Sequence, residues 1–401
     1  MNREKINDFI EVYSQELGLA NEIKENLKEL ISNLVLKYQN ATQTIDIKKD
    51  TNSRYIINPQ NEDYSLEDFF LNRLFNNVIN VNIAENLRDK SKGHYISKEK
   101  KVELSTNALK NQIDSRLIDS FKEDYEVIQN LARKKVINHE FEHGLQSQFS
   151  DGKIKPAMFN RYVNFIRNLK EYKNGKYAEQ IINEQNIYTN DIDTEYRISG
   201  GFANSEKRGR KECLTEIFNE SESLDVSNCK KQMDIMFKSG NKIPIYNTES
   251  SNYLITNYAY MLKALLGEEL TFDSMYFDPD KTERVFEERY GDIIEDTYKE
   301  DYMSVRGSKL TVMQLLECVL SDIRNSKIES KQLKLNLVLA KCLERNIEIG
   351  KKIYTKQDLK EQVDVFKKYM IFNEDKIKNS LIRAYKNNRY IRKRYRTNNK
   401  C

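Results

Sequence analysis

The stretch that most constrains this chain is VINHEFEHGLQ, residues 136–146. It sets two of the chain's three histidines, His139 and His143, four residues apart, with Glu140 directly after the first. On an α-helix, positions i and i+4 project from one face about 6 Å apart, so the spacing brings the two imidazoles together only if the segment is helical. Its surroundings fit an interior helix. Ile128, Ala132 and Val136 run down the stripe that carries the histidines, and Ile137, Phe141 and Leu145 cover a second face. A helix that is apolar on both flanks is buried, and polar groups on it need partners. The pattern predicts one long helix over 117–149.

Helix-period apolar positions recur at 2–17, 20–39, 65–78, 209–222, 251–267, 309–345 and 357–372. Two segments read as strands instead. QTIDIKKDTNSRYIIN (43–58) alternates Ile45 and Ile47 and predicts two short strands around a polar turn. GHYISKEKKVELS (93–105) predicts a hairpin, with Tyr95 and Ile96 before the charged turn and Val102 and Leu104 after it. The stretch 170–208 is a weakly periodic connection rich in Tyr, Asn and Lys. The expectation is an α+β chain, predominantly helical, with a small antiparallel sheet. Composition shifts near 90 and an acid-rich stretch at 270–300 suggest three regions. These are an N-terminal accessory region (1–90), a core (91–270) and a C-terminal helical region with a basic tail (271–401).

No stretch reaches the apolar length needed to span a bilayer, and the first residues lack the apolar segment of a signal peptide. Cysteines 213, 229, 318, 342 and 401 are odd in number and form no CxxC pair, which points to a reduced, cytoplasmic protein rather than a disulfide framework. A formal charge of +4 on 401 residues argues neither for nor against nucleic acid.

Two imidazoles one helical turn apart can both reach one Zn²⁺, whose nitrogen ligands sit at about 2.0–2.1 Å. Glu140 then lies beside the ion, off the ligand axis, where it can take a proton from an activated water. A catalytic zinc wants a third protein ligand and one open position. The metzincin extension is absent, because Gln146 and Phe149 stand where Gly and His would be needed. His94 lies ahead of the helix on the hairpin and reads as a structural or cleft-lining residue. The better source of a third ligand is GRKECLTEIFNESES (209–223). There Glu212 and Glu216 share one helical face. The first is the expected ligand and the second the partner that orients a ligand imidazole, with the reverse assignment left open.

HEFEH followed some tens of residues later by ECLTE resembles the gluzincin branch of zinc metallopeptidases, across roughly residues 93–290. Cys213 and Lys211 depart from the small glycine and the asparagine that flank the second motif's glutamate in similar bacterial proteins. The resemblance implies a zincin-like core with accessory helices and one zinc per chain, held by His139, His143 and Glu212. It also implies hydrolysis of peptide bonds in a peptide or protein substrate, with Glu140 as general base. In such folds a strand before the motif helix captures the extended substrate by β-augmentation; here that would be Val102, Glu103, Leu104 and Ser105. A tyrosine often supports the oxyanion, and Tyr246 is the first candidate, ahead of Tyr253 and Tyr258.

The C-terminal RYIRKRYR, within 383–400, interleaves aromatic and cationic residues, a composition that can hold nucleic acid or an acidic partner. It fits a solvated tail better. The competing view of the whole chain is a non-catalytic helical binding protein that uses this tail and carries a vestigial or structural metal site.

Overall fold

In a computed structural model of the chain, the described residues are 1–41, 45–47, 64–87, 91–107, 125–150, 156–172, 197–200, 212–227, 234–236, 242–244, 253–302, 310–326, 329–350 and 355–369. They form a predominantly helical α+β protein, with twelve helices and one small three-stranded sheet besides two strand pairs. The chain divides into two compact units. One comprises residues 1–256 and 268–284, the other 257–267 and 285–401.

The first unit opens on α1 (Arg3–Leu17) and α2 (Asn21–Tyr38). Asn2 caps α1 by accepting from the Lys5 N–H, and Gly18 ends it at φ 64°, a left-handed conformation that glycine adopts without a Cβ penalty. Helix α3 (Leu66–Asn77) starts at a capping box between Ser65 and Asp68 and is buried on every face. Its aromatic residues Phe69 and Phe70 meet Phe272 and Tyr276 of α8 (Glu268–Tyr276), which in turn meet Tyr38 of α2, in one continuous core.

Strands β1 (Asn80–Ala84), β2 (Gly93–Ile96) and β3 (Lys101–Ser105) form the sheet in the order β1-β3-β2. The expected hairpin is β2–β3, with Gly93 opposite Leu104 and Ile96 opposite Lys101. The sheet is mixed rather than antiparallel, because β1 joins the far side of β3 in parallel register. This corrects the role expected of Val102, Glu103, Leu104 and Ser105. They occupy the central strand, whose backbone groups are already paired on both sides, so no peptide can add to it. The edge strands are β1 and β2. Ile45 and Ile47 are not in a strand either. The Ile47 N–H donates to the Ile45 carbonyl at 3.0 Å in a tight turn that buries Ile47, and the rest of that proposed strand pair lies outside the described residues.

Helix α4 (Tyr125–Gln146) carries the HEFEH segment and runs directly into β4 (Ser147–Ser150), which pairs with β5 (Arg197–Gly200). Val136, Ile137, Phe141 and Leu145 are buried as the periodicity requires. Helix α5 (Pro156–Tyr172) lies between the two strands, and α6 (Glu212–Val226), after β5, packs on α4. Strands β6 (Asp234–Met236) and β7 (Lys242–Pro244) pair with each other. Helices α1–α3 fall in the same unit as α4, so residue 90 lies inside a unit; the crossing at 284/285 lies within the acid-rich stretch.

The carbonyls at the C-terminal end of α4 have no partner within the helix. Arg73 and Asn77 of α3 supply the donors. The Arg73 guanidinium, 1 % exposed, donates to the carbonyls of Leu145 (3.0 Å), Ser147 (3.4 Å) and Tyr276. Asn77 donates to those of Gly144 and Ser147 at 2.8 and 2.7 Å. A cation at this end also opposes the negative end of the helix dipole.

The second unit holds most of α7 (Tyr253–Leu266) and α9 (Pro279–Tyr298), then α10 (Val312–Ser326), α11 (Glu329–Gly350) and α12 (Lys356–Tyr369). Asn346 is its polar centre, accepting from Tyr290 and donating to the Leu265 carbonyl and Gln362. Among the described residues, no helix is long and apolar enough to cross a membrane.

Candidate metal centre

Helices α4 and α6 run antiparallel where they meet, and each presents one row of functional side chains at one-turn spacing. Lys135, His139 and His143 come from α4; Glu220 and Glu216 come from α6. The register is held by buried polar ties. Asn219 donates to the His139 carbonyl at 2.7 Å and accepts from Gln146 at 3.0 Å, while Asn138 donates to Ser227 at 2.7 Å.

In this register His139 Nε2 and His143 Nε2 are 3.2 Å apart, and each is 3.4 Å from an oxygen of Glu216. Ligands around a tetrahedral ion with bonds of about 2.0–2.1 Å stand about 3.3 Å apart, so this donor set matches a zinc-sized cation in spacing and chemistry. Among the described residues this is the one group of three or more His, Cys, Asp or Glu able to hold a metal ion. Burial opposes charge on Glu216, but His143 and then His139 hold its carboxyl well below the usual range.

Glu216, the alternative the sequence left open to Glu212, faces the histidines, and Glu220 stands behind His139. Glu212 begins the helix, and its side chain lies outside the described residues. Glu220 Oε2 stands 3.2 Å from His139 Nδ1, although the ring nitrogen is not aligned for a formed hydrogen bond. A carboxylate behind the imidazole fixes which nitrogen turns to the metal. Burial disfavours an imidazolium at His139, yet Glu216 and Glu220 together raise its pKa well above the ordinary value. The clue to Glu220 was in the sequence, since Glu212, Glu216 and Glu220 repeat every fourth residue.

Glu140 is 6 % exposed and faces β2 rather than the acid row. Burial raises its carboxyl above the usual range, with His139 and His143 pulling it back. Gly93 makes room for it: a Cβ there would stand 2.8 Å from Glu140 Cγ and 3.0 Å from the Glu103 carbonyl. His94 takes no part in the metal group. Its ring bridges Ser91, at 3.0 Å, and Glu103, its cross-strand neighbour, at 3.1 Å. Tyr246 and the basic segment 383–400 lie outside the described residues. Tyr258 is a buried packing residue of the second unit, donating to the Gln332 carbonyl at 3.3 Å.

No family model, curated protein or solved structure matches the chain.

Proposed function

We propose that the chain is a zinc-dependent metallopeptidase of the gluzincin type, acting on a peptide or protein substrate. The observation that carries this reading is the convergence of His139, His143 and Glu216, with a second, buried glutamate, Glu140, beside them on the motif helix. His139, His143 and Glu216 would hold the ion, with Glu220 orienting His139. Zinc in such a site supplies a Lewis acid that polarises a carbonyl and brings a water towards a pKa of ~7. Glu140 takes the proton from the attacking water and delivers it to the departing amine nitrogen.

The substrate backbone is best received by β2, an edge strand that passes Glu140 at Gly93. Ser105 N–H donates to the Lys92 carbonyl at 2.9 Å, so by antiparallel alternation Gly93 and Tyr95 turn their N–H and C=O groups away from β3. An extended peptide pairing there would run past the general base. A structural zinc is less well supported, since such sites close with four protein ligands and the described group has three. None of Cys213, Cys318 and Cys342 is in a disulfide, which fits action in a reducing compartment such as the cytoplasm.

The test is Glu140→Gln against a peptide library, with zinc measured on the same protein. The expected result is one zinc per chain in both proteins and turnover lower by about 10²–10⁴ in the variant, the range for losing a general base. Wild-type protein that binds zinc but cleaves no peptide would leave a metal-binding protein without this activity.

A further inference from the structure

We propose that Lys135 is a positioning residue for the metal centre, holding Glu220 in the orientation that keeps His139 Nε2 turned towards the ion. This rests on the zinc reading above. The two oxygens of Glu220 are divided between two partners on α4. Oε1 pairs with the Lys135 ammonium, and Oε2 stands 3.2 Å from His139 Nδ1. Lys135 is therefore one helical turn before the first ligand, on the same face, and touches that ligand only through the carboxylate between them.

The pair is not an ordinary surface contact. The side chains of Lys135 and Glu220 are 16 % and 12 % exposed, so solvent screens little of their attraction. A buried carboxylate deprived of one partner is left with uncompensated charge. Without Lys135, Glu220 Oε1 loses its partner, and nothing holds Oε2 at its 3.2 Å from His139 Nδ1.

The experiment is zinc titration against a chromophoric chelator. It uses wild type, Lys135→Met, Lys135→Arg, Glu220→Gln, the Lys135→Met/Glu220→Gln double variant and His139→Ala. Lys135→Met should weaken zinc by about 10-fold or more, the lower end of the range for partners behind metal ligands. Lys135→Arg should recover most of that loss, which a packing role for the stem would not predict. The double variant should bind no more weakly than Glu220→Gln alone, because both changes break one relay. Unchanged affinity in Lys135→Met, or an equal further loss in the Glu220→Gln background, would overturn the role while leaving the metal centre standing. No zinc in wild type overturns the metal reading and this role together, whereas zinc lost only in His139→Ala upholds the first alone. Lys135→Gln, also a good helix former, repeats the comparison if Lys135→Met does not fold.

Discussion

Gly93 shows how narrowly a single residue bounds the site. Its φ is ordinary, so conformational freedom is not the reason for a glycine; the reason is space. An added methyl group would meet Glu140 Cγ at 2.8 Å and Oε1 at 3.1 Å on one side and the Glu103 backbone oxygen at 3.0 Å on the other. The backbone contact cannot yield cheaply, so the Glu140 side chain must swing away. Gly93→Ala should therefore leave zinc stoichiometry intact, abolish most turnover, and cost about 1–3 kcal/mol of stability, as overpacking does. Zinc analysis, peptide cleavage and urea unfolding on one preparation check all three, and full activity in Gly93→Ala would show that Glu140 need not stay where it is. At this scale the histidine pair and Glu140 were legible because their geometry is set within one helix. The acid that meets them was not. Three acids recur at one-turn spacing on α6, and which of them faces His139 depends on contacts with α4, through Asn219, Asn138 and Lys135, that no local pattern displays.

Among elements, periodicity located helices such as α1, α2 and α10, each with one dominant apolar stripe, but passed over α5, where Tyr162, Phe165, Ile166 and Leu169 are buried at helical spacing. It missed α9, whose Phe286, Tyr290, Ile294 and Tyr298 form a buried row at four-residue spacing but are surrounded by acids that read as a boundary. Alternation identified β3 as a strand with one buried face. It could not say that β1 would cover its second edge, since strand neighbours are a property of topology. The C-terminal end of α4 is anchored by α3. Replacing Arg73 by Met would strand the carbonyls of Leu145 and Tyr276, each stranded buried group costing about 1–3 kcal/mol, while that of Ser147 keeps the Asn77 amide. The expected loss is at least ~2 kcal/mol, since removing a buried cation returns part of the cost. It should appear as a lower urea midpoint at unchanged slope. His143 lies on the turn that Arg73 anchors, so zinc affinity should fall as well. A variant as stable as wild type would mean that water or a neighbouring side chain can cap this helix equally well.

Across the whole molecule, every described member of the centre and every residue that positions it belongs to the first unit. Zinc would bridge α4 and α6, whose contact is otherwise maintained by a few buried amides and the charge rows. Any opening that separates the two helices would then have to release the ion. At free zinc 100-fold above its dissociation constant that opening costs about 2.7 kcal/mol more, equivalent to roughly 100-fold slower exchange for amides that need it. Hydrogen exchange with and without zinc should show this slowing in α4 and α6, and through Arg73 and Asn77 in α3. Amides of α10, α11 and α12, in the second unit, should exchange at the same rate in both conditions. Protection confined to α10–α12 would put the bound metal elsewhere. Slowing in α4 without α6 would mean that the histidines bind the ion without Glu216, and the two helices would then owe their register to Asn219, Asn138 and the Lys135–Glu220 pair.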